Sequence, residues 1–116
     1  MGTIQRLSKI YKMNILFIGI ASYYSIAGCL GCSPTLTMAN GERLNDTVKT
    51  IALTPSNYRK YKNQTVKVTN LKNKKYTLAK VTDSGGFGKY NRVADLSLAT
   101  KLAIGCSDLC KVQIEK

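Results

Sequence analysis

The residues best suited to chemistry are three of the six acidic side chains in this sequence. Asp83 and Asp95 lie near the two ends of the segment VTDSGGFGKYNRVADLS (residues 81–97), and Glu42 follows an Asn-Gly pair. The chain contains no histidine, which removes the most common general base and metal ligand. Catalysis by Ser-His-Asp or Cys-His groups is therefore excluded, and carboxyl groups remain as acid–base candidates.

Three glycines separate the two aspartates, at positions 85, 86 and 88. Glycine brings no side chain to a core and loses much backbone entropy on folding. We therefore predict that this segment is a loop that contributes little to the core.

Four cysteines form two closely spaced pairs, Cys29 with Cys32 and Cys106 with Cys110. An even number of cysteines in a small chain favours disulfides, although four thiolates could instead hold a structural zinc ion. We expect disulfides that link one pair to the other, because a bridge across so few residues is strained.

The composition predicts one small, basic domain. The chain has 116 residues, and 18 lysines and arginines against 6 acids give a net charge of +12. This charge predicts attraction to nucleic acid, an anionic membrane or an acidic wall polymer without choosing among them. A zinc-stabilised module for nucleic acid is one alternative, but no base-reading motif is recognisable, so we predict no specific nucleic-acid partner.

The elements that would position these residues are mostly strands. Alternating and short apolar patterns predict strands at residues 50–53, 64–70, 76–82 and 111–115. Asn40 and Gly41 predict a tight turn, and helical spacing predicts one short helix over residues 95–103 with Asp95 or Ser97 as its N-cap. A small β-rich domain with one short helix is most simply a barrel.

The N-terminus allows two interpretations. Basic residues at positions 6, 9 and 12 precede an apolar run over residues 13–21, which resembles an export signal and is too short to span a membrane. Ile26-Ala27-Gly28-Cys29 also resembles a bacterial lipoprotein cleavage box. Alternatively, residues 17–25 form a buried first strand. We predict a basic and apolar segment over residues 1–19, a candidate export signal, and a barrel domain over residues 20–116.

Five motifs follow one another along the chain. They are IASYY (20–24), MANGER (38–43), VKVTNL (66–71), VTDSGGF (81–87) and VADLS (93–97). In this order they resemble the rare lipoprotein A family of septal-ring lytic transglycosylases, whose pattern runs A-S-x-Y, T-A-N-G-E-x, V-x-V-T-N-L, V-x-D-x-G-P-F and I-D-L-S. The resemblance implies a mainly β fold, a six-stranded double-psi β-barrel with one short helix, related to the barrel of expansins.

The resemblance also implies roles for the acidic residues. Asp83 and Glu42 match acids that are important for activity in the family, and Asp95 aligns with the aspartate that a related lytic transglycosylase uses as its acid. Two departures lie close to these positions. Leu53 stands where the family often has a histidine, and Ser84-Gly85-Gly86 replaces the usual R-G-P.

The implied reaction cleaves the glycan strands of peptidoglycan without water. The 6-hydroxyl of muramic acid attacks the anomeric carbon and forms a 1,6-anhydro ring, so one carboxyl group can donate a proton and later accept one. Such an acid needs a raised pKa, through burial or a neighbouring carboxylate. We predict a catalytic set of three carboxyls and a glycan-binding set, in which tyrosines stack on sugars and glycines let the backbone approach them. The glycan-binding set is Tyr23, Tyr24, Asn40, Gly85, Gly86 and Tyr90.

Each of these residues also has a structural interpretation. Asp95 could cap the predicted helix, Glu42 could be an exposed turn residue, and the tyrosines could be half-buried packing. The missing histidine favours a non-catalytic, expansin-like module that binds cell-wall glycan. Under either hypothesis we expect an exported, monomeric protein of the periplasm, cell envelope or exterior, with or without a membrane tether. Its partners would be glycan strands and other anionic wall polymers, and it would need no cofactor or metal.

Overall fold

The computed structural model describes residues 14–27 and 36–116, which form a closed six-stranded barrel. The strands are β1 (Ile15–Tyr24), β2 (Thr50–Leu53), β3 (Thr65–Asn70), β4 (Tyr76–Ser84), β5 (Arg92–Ser97) and β6 (Cys110–Glu115). The helices are α1 (Pro55–Tyr61), α2 (Leu98–Ala103) and a 3₁₀ helix (Gly86–Tyr90).

Around the barrel the strands follow the order β1-β5-β2-β4-β3-β6. β1 pairs with β5 in parallel and β2 with β4 in parallel, whereas the other four pairings are antiparallel. The predicted mainly β, six-stranded barrel is therefore confirmed, and its topology is compatible with a double-psi barrel. β2 and β6 are three strands apart in either direction, so they lie on opposite sides of the molecule.

The barrel interior holds apolar side chains that alternate along the strands. The fully buried ones include Ala21, Ile51, Leu53, Val66, Val68, Val81, Ala94, Leu96, Val112 and Ile114. The four strands predicted at residues 50–53, 64–70, 76–82 and 111–115 are confirmed as β2, β3, β4 and β6. In β4, however, Tyr76 and Leu78 lie on the outer surface, 61% and 55% exposed, while the smaller Thr77 and Ala79 point inward.

The glycine-rich segment contributes to the core, and the prediction that it would not was wrong. Phe87 is buried within the 3₁₀ helix, and Ala94 and Leu96 of β5 are fully buried. The helix also begins later than predicted, at Leu98, because the preceding residues form β5. Ser97 is its N-cap and accepts a hydrogen bond from the Thr100 N–H, so the alternative that Asp95 caps this helix was wrong.

The apolar run near the N-terminus forms β1, which pairs with β5 and β6. The domain boundary that the sequence predicts between residues 19 and 20 falls within this strand. No helix among residues 14–27 and 36–116 is long and apolar enough to cross a membrane.

The disulfide in the described part of the chain joins Cys106 to Cys110. The prediction that these cysteines would bond to the other pair was therefore wrong; Cys29 and Cys32 lie outside the described residues. The chain reverses between α2 and β6, which brings the two Cα atoms to 5.5 Å, within the usual range for a disulfide. Neither sulfur of this bond is a thiolate that could bind zinc.

Gly19 provides a test of the packing between β1 and β5. A Cβ atom at this position would lie 2.6 Å from Val93 Cγ1, and a branched valine side chain has little freedom to move. We expect Gly19→Ala to lower the free energy of unfolding by about 1–3 kcal/mol in urea denaturation. Gly86→Ala is the control, because no atom lies within 4 Å of its Cβ position. Equal stability of the two variants would contradict this close packing.

Candidate acid site

Two aspartates flank β2 on the outside of the barrel. Ala52 of β2 pairs with Asp95 of β5 on one side and with Asp83 of β4 on the other. Ile51 and Leu53 point into the core, so Ala52 and its two partners point outward, because residues that face each other across strands share one side of a sheet. The two aspartate Cα atoms are separated by two strand spacings, roughly 10 Å. We call this side of the sheet, formed by Thr50, Ala52, Asp83, Asp95 and Ser97, the β2 face; Thr50, Ala52 and Ser97 are buried, and the two aspartates are half-buried.

Asp95 is half-buried and held by β1. The Ser22 hydroxyl donates a hydrogen bond of 2.8 Å to Asp95 Oδ1. Burial raises the pKa of the Asp95 carboxyl, the Ser22 hydrogen bond and the Arg92 charge oppose this rise, and the Asp83 charge adds to it. Burial is thus the main cause of the raised pKa, and crowding by a second carboxylate is a smaller one.

Asp83 is fixed by backbone donors. Its Oδ1 accepts hydrogen bonds from the N–H groups of Ala39, at 3.0 Å, and Ser84, at 2.9 Å. Among the described residues, the second oxygen of Asp83 and that of Asp95 accept no hydrogen bond.

The charges of both aspartates act on the Tyr24 hydroxyl. Its hydroxyl lies 3.2 Å from Thr50 Oγ1. Burial raises the pKa of Tyr24 to about 12, the Thr50 hydrogen bond opposes this rise, and the charges of Asp83 and Asp95 add to it. The hydroxyl therefore remains protonated at neutral pH, and the charges of both carboxylates act on it.

Buried hydroxyl groups of the β2 face and of α2 join β2 to β5 and to α2 by hydrogen bonds. Ser97 Oγ accepts from the Thr50 N–H at 3.0 Å and donates to the Val48 carbonyl at 2.9 Å. Thr100 Oγ1 donates to the Thr50 carbonyl at 2.9 Å. All three hydroxyl residues are buried. No site role was predicted for Ser22, Thr50 or Thr100, since pairing across the barrel leaves no local signal in the sequence.

Glu42 lies at the rim of the β2 face and is engaged in an ion pair. Its Oε1 accepts from Lys80 Nζ at 2.6 Å and from Asn40 Nδ2 at 2.5 Å. The Lys80 and Asn40 hydrogen bonds lower the pKa of Glu42. The Asn40 N–H donates to the Thr82 carbonyl, which attaches the turn to β4. The turn that carries Glu42 is thus attached to β4, but Glu42 is paired with Lys80, and Asp83 is the carboxylate that adds to the pKa shift of Asp95.

The other predicted contacts are spread over the molecule. Tyr23 points to the opposite side of β1 from Tyr24 and packs against the core, with Lys101 Nζ 4.7 Å from its ring centroid. Tyr90 is 60% exposed and lies under Lys89 and Arg92. Gly85 and Gly86 lead from β4 into the 3₁₀ helix, and the Gly85 N–H donates to the Leu53 carbonyl.

The position of Leu53 bears on the missing histidine. Leu53 is fully buried in the barrel interior, so its side chain does not reach the β2 face. Among the described residues, no group of three histidine, cysteine, aspartate or glutamate side chains could hold a metal ion. The described side chains of the β2 face that can do chemistry carry carboxyl and hydroxyl groups.

Comparison with known proteins does not identify the chain. No protein-family model matches it, and no curated protein sequence matches it significantly.

The raised pKa of Asp95 predicts how stability depends on pH. The folded protein holds the Asp95 proton more tightly than the unfolded chain, in which the pKa of an aspartate is near 3.8. Stability should therefore fall as pH rises from about this value through the higher pKa of the folded state. We expect the free energy of unfolding of wild type, minus that of Asp95→Asn, to decrease over this window in urea denaturation at a series of pH values. A difference that rises with pH would contradict the assignment.

Proposed function

We propose that this protein is a lytic transglycosylase that cleaves the glycan strands of peptidoglycan to products ending in 1,6-anhydromuramic acid. The observation that carries the proposal is the pair Asp83 and Asp95, which flank Ala52 on one outer face with the Tyr24 hydroxyl nearby. The five ordered sequence motifs and a barrel compatible with the double-psi fold support it.

In the proposed mechanism Asp95 is the acid. A half-buried carboxyl with a raised pKa can donate its proton to the glycosidic oxygen as the bond to the anomeric carbon breaks. The resulting carboxylate then accepts the proton of the muramic acid 6-hydroxyl as that oxygen bonds to the anomeric carbon. One group serves both steps, so the water-accommodating carboxyl pair of inverting glycosidases is not required.

Asp83 and Tyr24 support this chemistry in the proposal. Positive charge develops on the sugar ring as the bond breaks, and the Asp83 carboxylate, held by two backbone N–H groups, can stabilise it. The Tyr24 hydroxyl can donate a hydrogen bond to a substrate oxygen. Glu42, paired with Lys80, would keep the neighbouring turn in place at the rim.

We further propose that the protein acts as an exported monomer in the cell envelope and needs no cofactor. Its charge of +12 favours binding to anionic wall polymers as well as to glycan strands. Cleavage at the lipoprotein-like box before Cys29 would remove β1, and with it Ser22 and Tyr24. The proposed form retains residues 15–24, so removal of the whole candidate signal over residues 1–19 would also remove the first half of β1 and is not part of the proposal.

The test is product analysis with purified sacculi. We expect wild-type protein to release soluble muropeptides whose anhydro ends resist borohydride reduction, because a 1,6-anhydro ring has no reducing end. Soluble products that are fully reducible would indicate hydrolysis and would contradict the proposed reaction.

A non-catalytic glycan-binding module is the second candidate, favoured by the buried Leu53 at the family's histidine position. This candidate predicts that wild-type protein sediments with sacculi and releases no soluble product. Its binding should also survive Asp83→Asn. Absence of both product and sedimentation at low salt would eliminate both candidates.

A further inference from the structure

The outer surface centred on β6 exposes apolar side chains. On β1, Ile18 and Ile20 are 50% and 37% exposed, and Leu109, just before β6, is 54% exposed. Ile18 pairs with Gln113 of β6, and Ile20 pairs with Lys111. We use the name β6 face for the outward side chains of β6 and of its neighbours β1 and β3. Four nearby residues also belong to it: Lys72, Tyr76, Leu78 and Leu109.

The apolar residues on this face are interspersed with cations and with Glu115, which pairs with Lys67 across β3 and β6. Lys67 pairs with Leu78 across the β3–β4 hairpin, and its Nζ lies 4.5 Å from the centroid of the Tyr76 ring. Lys72 and Lys111 are exposed and line a groove of about 680 Å³ together with Ile20 and Leu109. Lysine stems can lie along apolar surface with the ammonium group at its polar edge.

The β6 face lies opposite the acid site. β6 and β2 are three strands apart in both directions around the closed ring. A partner centred on β6 would therefore leave Asp83 and Asp95 accessible, because only Tyr76 and Leu78 at the beginning of β4 belong to the β6 face, whereas Asp83 lies at the end of that strand.

The mixture of lysines and apolar side chains on the β6 face favours one kind of partner over the others. A second copy of the chain would bring two surfaces rich in lysine together, in a protein with a net charge of +12, which disfavours self-association. A soluble polyanion would engage the lysines but would leave the isoleucines and Leu109 in water. An anionic bilayer satisfies both, because its headgroups attract lysine and its interfacial region accepts leucine, isoleucine and tyrosine side chains.

We propose that the β6 face is a peripheral docking surface for an anionic phospholipid membrane. The groove beside Ile20 and Leu109 receives lipid groups, while Lys67, Lys72 and Lys111 contact headgroup phosphates. This inference does not depend on glycan cleavage. If the proposed function also holds, docking directs the acid pair away from the bilayer.

The experiment is cosedimentation of the full chain with vesicles of phosphatidylcholine, with and without phosphatidylglycerol. We expect binding to the phosphatidylglycerol vesicles and little binding to phosphatidylcholine alone. Lys72→Gln with Lys111→Gln should weaken binding by roughly fivefold per lysine. Ile18→Thr with Leu109→Ser should weaken it about tenfold or more, because the apolar contribution is lost.

Matched variants elsewhere on the surface serve as controls. Val48→Thr with Leu102→Ser replaces side chains that are 46% and 66% exposed outside the β6 face, and it should leave vesicle binding unchanged. Thermal unfolding of every variant verifies the fold. Binding that responds to the lysine variants but not to Ile18→Thr with Leu109→Ser would indicate a soluble-polyanion surface and overturn the proposal. A dimer in sedimentation equilibrium that these two apolar substitutions dissociate would also overturn it, as would equal binding to both vesicle types.

Discussion

Asparagine in place of Asp95 is expected to reduce release of anhydromuropeptides from sacculi by a factor of roughly 10² to 10⁴, the usual contribution of a general acid. The amide cannot donate an acidic proton to the leaving oxygen, but it is almost the same size as the carboxyl. Its oxygen can still accept the hydrogen bond from Ser22. The thermal midpoint at neutral pH should therefore be unchanged or raised, because asparagine is uncharged at every pH in this half-buried position.

Asp108→Asn is the matched control for this experiment. Asp108 is exposed in the loop between Cys106 and Cys110, so the same change of charge there should leave both product release and stability as in wild type. Full activity of Asp95→Asn would show that another group is the acid. Loss of activity together with a marked loss of stability would indicate a structural role instead.

Leu96→Ala is expected to cause the largest loss of stability. Leu96 is fully buried and pairs with Ile51 on one side and Tyr23 on the other, so its truncation leaves a cavity in the barrel. We expect a loss of about 2–5 kcal/mol in urea denaturation, which is a large part of the roughly 5–15 kcal/mol typical of a domain.

The same substitution on the surface provides the comparison for Leu96→Ala. Leu102 is 66% exposed on α2, and Leu102→Ala should change the free energy of unfolding by no more than about 0.5 kcal/mol. A cost below about 1 kcal/mol at Leu96 would mean that β5 is not part of the core. It would then not position Asp95 as described.

Local patterns predicted the elements that have strong sequence periodicity. The alternation of Val66 and Val68 with polar residues identified β3, and Asn40-Gly41 identified the turn beside Asp83, where Gly41 has a φ of +93°. β5 was missed because it is short and follows glycines, and because its last residues lead into α2, so the helical spacing obscured the strand alternation.

The arrangement of the site depends on contacts between residues far apart in sequence. Asp83 and Asp95 were predicted to be near each other, but the register that places both beside Ala52 is set by pairing among three strands. The burial that raises the pKa of Asp95 and the Ser22 hydroxyl that binds it come from the fold of β1, 73 positions away. The Cys106–Cys110 bond likewise depends on a chain reversal that spacing alone did not indicate.

The most direct test is a carbon-13 NMR titration of the Asp95 side-chain carboxyl in wild type and in Asp83→Asn. We expect an Asp95 pKa above 3.8 in wild type, and a smaller elevation once the Asp83 charge is gone. The contrary result is an Asp95 pKa that equals that of an unfolded chain and is the same in wild type and Asp83→Asn. It would mean that the two side chains share no proton-donating site.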